Sequence, residues 1–111
     1  MIPEKITNLI KAIIEKTNSK KATWGKTARE NEFKLHFQNG AITTDWWTND
    51  RGVEFVDIAI YNSYGDRIDS YEAEKGEDDY SILIEIHNVA KRDFFKVEET
   101  IENLFKEAKN D

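Results

Sequence analysis

The tightest constraint on the fold lies between residues 33 and 42. Phe33, Leu35 and Phe37 alternate with Lys34, His36 and Gln38, the period-two pattern of a strand with one buried face. Asn39-Gly40 follows at once, a pair that favours a tight hairpin because both residues accept positive φ. A two-residue Asn39-Gly40 loop sets Phe37 opposite Ile42, Leu35 opposite Thr44 and Phe33 opposite Trp46. Ile42 and Trp46 then share the inner face with the phenylalanines. Trp47 points the other way with Ala41, Thr43 and Asp45, since a strand alternates its side chains between faces.

The same alternation extends the hairpin into a sheet. From Val53 to Tyr61, Val56, Ile58 and Ile60 alternate with Phe55, Asp57, Ala59 and Tyr61, and Asp57 marks the second set as outward. Asn62 to Gly65 reads as a turn and Asp66 to Ala73 as the returning strand, with Tyr71 assigned outward by alternation. A shorter edge strand around Ala22–Thr27 carries Trp24. Helices bracket these strands. Pro3 suits a first helical turn, and Ile2, Ile6, Leu9, Ile10, Ile13 and Ile14 form one apolar stripe. After Glu77-Asp78-Asp79, acids that favour a helix N-terminus, come Ile82, Leu83, Ile86, Val89 and Ala90. A last stripe holds Val97, Ile101, Leu104, Phe105 and Ala108, with Phe94 and Phe95 at the corner between the two helices. The expected architecture is one α+β domain over residues 1–111. It has an antiparallel meander of about four or five strands, an N-terminal helix, two C-terminal helices, and the helices mainly on one face.

Composition narrows the function classes. The chain has 111 residues and no cysteine, so thiolate chemistry and disulfides are excluded, and a cytoplasmic location is the expectation. Charges interrupt the first helix at Glu4, Lys5, Lys11, Glu15 and Lys16, which is not the apolar run of a signal peptide or membrane span. A net charge of −6 opposes general binding to nucleic acid or anionic membranes. The charge is uneven: residues 16–29 carry a local +5, and residues 45–79 a local −8.

No motif points to catalysis, a cofactor or a metal. The two histidines, His36 outward on a strand and His87 beside a helical stripe, lack a nucleophile at any recognisable spacing. The acids around Asp50 and Glu77-Asp78-Asp79 do not follow a calcium-loop pattern, and no glycine-rich phosphate loop is present. Lys20, Lys21, Trp24, Lys26 and Arg29 interleave base and aromatic, a weak candidate for stacking on single-stranded nucleic acid. Trp47, Phe55, Tyr61 and Tyr71 form the stronger candidate, an aromatic patch on the outer sheet face. The leading expectation is a non-enzymatic protein-interaction module that binds a partner, or itself, through that patch. Alternatives are a small-molecule or hydrolytic site built from strand-end acids, and a nucleic-acid accessory role for the basic segment.

The order of features resembles a widespread group of small uncharacterised bacterial and phage proteins. Ala22-Thr23-Trp24, the Asn-Gly hairpin, Asp57-Ile58-Ala59-Ile60-Tyr61-Asn62, Gly65-Asp66-Arg67-Ile68 and Ile101-Glu102-Asn103-Leu104 carry the likeness, from about Thr23 onward. The resemblance implies a fold and no site. Trp46-Trp47 and the long acidic stretch depart from the pattern.

Overall fold

The computed structural model describes residues 1–110. The elements run α1 (Glu4–Asn18), β1 (Gly25–Lys26), β2 (Glu32–Phe37), β3 (Gly40–Thr48), β4 (Glu54–Asn62), β5 (Arg67–Glu74), α2 (Tyr80–Phe94) and α3 (Val97–Lys109). The five strands form an antiparallel meander in sequence order. The inner sheet positions Phe33, Leu35, Ile42, Val56, Ile58 and Ala73 are buried against Ile10, Ile13 and Ile14 of α1 and Leu83, Ile86 and Ala90 of α2. Helix α2 runs over β2 to β5, and α1 packs along α2. Among the described residues, no helix is long and apolar enough to cross a membrane.

The hairpin differs from expectation in register. Phe37 pairs with Gly40, Leu35 with Ile42 and Phe33 with Thr44, so the loop is Gln38-Asn39. The register is displaced by two residues, which leaves every side chain on its expected face. The cause lies at Gly40. A Cβ there would sit 2.3 Å from the backbone carbonyl oxygen of Tyr61, and Gly40 does not adopt positive φ. The glycine serves close strand approach rather than turn geometry. Phe37 consequently ends its strand 40 % exposed and is not the core residue expected of it.

The second correction concerns β5. Tyr61 pairs with Arg67 but Ile60 pairs with Asp69, so Ile68 is an extra residue in a bulge. One inserted residue reverses the facing of everything after it. Tyr71 therefore lies opposite Ile58 on the helix face, packed against the core, and is not part of the outer patch. Ile68 is left 60 % exposed.

Trp24 is likewise a core residue. The ring is 2 % exposed. Its indole N–H donates to the Thr17 hydroxyl at 3.0 Å, and Thr17 donates to the Ile13 carbonyl at 2.8 Å. The backbone N–H of Trp24 donates to Asp93 at 2.9 Å. Both polar ends of the residue are thus satisfied inside, as burial requires. Only Gly25–Lys26 of the expected edge segment is strand.

Candidate functional site

Among the described residues no helix covers the outer sheet face, and its registers assemble side chains in rows. The central row is acidic. Glu32 pairs with Asp45, Asp45 with Asp57 and Asp57 with Glu72, four carboxylates on four adjacent strands. Strands lie about 5 Å apart, so the row spans about 15 Å. The β5 bulge completes it, because without the extra residue Tyr71 and not Glu72 would face Asp57. Like charges directly opposite on neighbouring strands are unfavourable. Folding alone gives no reason for this arrangement.

Aromatic and small residues flank the row. On one side the Trp47 and Phe55 rings are stacked, centroids 5.5 Å apart and 15° from parallel. On the other lie Lys34, Thr43, Ala59 and Ser70. Beyond them comes Tyr61, with the Lys34 ammonium 5.1 Å from its ring centroid. Thr43 is 2 % exposed, and its hydroxyl has no hydrogen-bond partner among the described residues. A buried hydroxyl without a partner is costly and rare in a folded protein.

The charges in the row are unequally satisfied. The Arg29 guanidinium, reaching from the β1–β2 connection, holds Asp45 at 2.9 Å. Glu32 accepts a 2.8 Å hydrogen bond from the Thr27 hydroxyl. Asp57 and Glu72 have no ion pair among the described residues. Burial raises the Asp45 carboxyl, with Arg29 opposing it. Burial, with the charge of Asp45 added, pushes Asp57 up to about 7, and Arg67 offsets only part of this. Among the described residues no cluster of His, Asp and Glu converges to hold a metal ion. The row is laid out as a strip.

The remaining candidates fall elsewhere. Asp69 accepts a 2.6 Å hydrogen bond from the Tyr71 hydroxyl on the helix side, and Asp66 sits in the β4–β5 turn. These strand-end acids do not join Asp57. Lys20 and Lys21 follow α1, Lys26 is in β1, and Arg29 is committed to Asp45. With Trp24 buried, the basic segment presents no exposed aromatic. His36 is exposed and His87 is buried on α2. The Thr44 hydroxyl lies 3.1 Å from His87 Nδ1, and burial, then the charge of Lys91, lowers this imidazole to about 4. His87 also borders a cavity of about 310 Å³ with Trp46, Tyr80 and Asn88.

Asp57 and His87 have opposite effects on stability as pH changes. Above its folded pKa of about 7, Asp57 is charged in both states and destabilises the fold. That penalty disappears as pH falls from about 7 towards 3.8. His87 is neutral in the fold, and its contribution is lost as pH falls from 6.5 towards about 4. Between pH 4 and 6.5 the two trends oppose each other. Asp57→Asn is therefore expected to stabilise the protein at pH 8 by about 1–2 kcal/mol, after allowance for solvent screening on the open face. The variant should also destabilise more steeply than the parent on acidification from pH 6.5 to 4.5. Urea melts across this range check both trends. Equal midpoints at pH 8 would contradict the raised Asp57 carboxyl.

Comparison of the chain with protein families, with curated proteins and with solved structures found no match.

Proposed function

We propose that the helix-free sheet face is a docking surface for a basic segment of a partner protein. Arginine or lysine side chains of the segment lie along the carboxylate row, and its apolar or planar parts rest on the Trp47–Phe55 stack. The observation that carries this reading is the row itself: a buried Asp45 directly opposite a half-buried Asp57, which has no ion pair among the described residues. A guanidinium supplies the charge and the planar donor array that paired carboxylates accept. Arg29 already meets Asp45 in this way, so a second cation at Asp57 repeats a contact the chain makes for itself. A protein surface is favoured over acid–base catalysis because the row lies on an open sheet with no nucleophile placed against it.

A capped tri-arginine peptide tests the proposal, followed by tryptophan fluorescence and by amide shifts. Shifts should concentrate on β3 and β4 around Asp45, Trp47, Phe55 and Asp57, and should weaken with salt as surface-charge contacts do. Trp47→Ala and Asp57→Asn should each weaken binding about tenfold, equivalent to roughly 1.4 kcal/mol. Trp47→Ala should leave stability within about 1 kcal/mol, since a half-buried ring on an open face leaves no closed cavity. Absence of shifts at millimolar peptide, or shifts confined to Glu77-Asp78-Asp79, would overturn the reading.

A further inference from the structure

Helix α3 is an amphipathic helix whose apolar stripe is mostly uncovered. None of its residues is buried. Ile101, Leu104 and Phe105 are 54 %, 59 % and 61 % exposed, and among the described residues the helix packs mainly against α2. Thirteen residues is near or below the length at which an isolated helix holds in water, so helices this short depend on packing of their apolar face. Aromatic contacts anchor the α2–α3 corner. Phe94 and Phe95 each contact the Phe33 ring, at 5.6 and 6.0 Å between centroids, and Lys96 turns the chain at a positive φ of 52°. The stripe is therefore held away from the core.

We propose that α3 pairs with α3 of a second copy of this chain, in antiparallel orientation. Two independent features select that occupant. The first is the spacing of Val97, Ile101, Leu104 and Ala108, intervals of four, three and four, the seam of a two-helix coiled coil. In an antiparallel pair Ile101 of each copy layers on Leu104 of the other, and Val97 on Ala108. The second is charge. Glu98 near the start of the helix and Lys109 at its end lie on the same flank of the stripe. Antiparallel packing sets each Glu98 near the other copy's Lys109, twice by symmetry, whereas parallel packing leaves the two at opposite ends of the pair. Within the chain Glu98 pairs with exposed Arg92, a contact compatible with a second cation.

The contact is small. A helix of this length is about 20 Å long, and two such faces bury less than the roughly 800 Å² per partner of a standard interface. Association should therefore depend on concentration. Sedimentation is expected to show dimer at about 1 mM and monomer near about 1 μM, as befits a contact below standard size. Leu104→Asp should abolish the dimer and keep the parent's circular dichroism and melting point for the sheet and the first two helices, because the side chain is 59 % exposed and lies outside the core cluster. The chain has no cysteine, which permits a clean test of orientation. An equimolar mixture of Val97→Cys and Ala108→Cys should form the mixed disulfide, and Val97→Cys alone should not cross-link. Glu98→Lys and Lys109→Glu should each dimerise several-fold more weakly alone and regain parent affinity when mixed. Three results would overturn the proposal: a monomer at about 1 mM, a dimer that survives Leu104→Asp, or self-cross-linking by Val97→Cys. The first two would assign the stripe to a different protein or the dimer to another surface. None of these results bears on peptide binding at the sheet face.

Discussion

Replacing Phe33 with alanine is expected to lower the unfolding free energy by about 3–5 kcal/mol, the range for deleting a large buried aromatic. Phe33 is 1 % exposed and joins β2 to α2 and to the corner that follows it. Its ring meets His87 at 5.6 Å between centroids, Phe94 at 5.6 Å and Phe95 at 6.0 Å. Deleting it opens a cavity under α2 and loosens the corner from which α3 departs. The loss is a large share of the roughly 5–15 kcal/mol that holds a domain of this size. Phe37→Ala, further along the same strand face, should cost no more than about 1 kcal/mol, because the ring sits at the strand end and encloses little. Denaturant melts of the two variants form an internal control. Equal losses would show that the hairpin register places Phe37 inside.

Gly40→Ala should cost about 3 kcal/mol, the upper part of the range for overpacking. The obstacle is the Tyr61 carbonyl oxygen, 2.3 Å from where the methyl would lie. That oxygen belongs to the backbone of the neighbouring strand, in a ladder that pairs Ala41 with Tyr61, so it cannot swing aside as a side chain would. Relief requires the end of β3 to part from β4. Asn39→Ala should be nearly neutral, because Asn39 is exposed and does not take positive φ. If Asn39→Ala proved as costly as Gly40→Ala, the pair would be acting as an Asn-Gly turn and the close approach would carry no weight.

The element order, the inner faces of β2 to β4 and the stripes of α1 and α2 can be read from periodicity, because burial of one face imposes it locally; the stripe of α3 shows the same period without being buried. What periodicity does not reach is set by contacts between distant residues. Asn39-Gly40 carries the signature of a turn, but Gly40 answers to Tyr61, and the conflict displaces the pairing by two. Alternation alone sends Tyr71 outward because it has no marker for the bulge at Ile68. Glu72 and Glu74 on either side of Ala73 are the available signal, since acids at alternate positions identify the solvent face. Trp24 lies in a run of lysines and looks solvated, and its partners Thr17 and Asp93 come from two different helices. The carboxylate row cannot be seen in one dimension at all. Glu32, Asp45, Asp57 and Glu72 become neighbours only when three registers are known. Each alone looks like a solvated charge.

Titration of the Asp57 carboxyl is the sharpest test of the proposed docking of a cationic segment on the carboxylate row. Carbon-detected NMR should find that group titrating near 7 in the free protein. Saturating tri-arginine peptide should lower that midpoint by about one pH unit or more, because a bound guanidinium favours the carboxylate. Linkage then requires peptide affinity to rise several-fold between pH 6 and pH 8, as the carboxyl ionises and the cation gains its partner. An Asp57 carboxyl that titrates near 4 in the free protein, or one that peptide does not move, would contradict cation binding at this row.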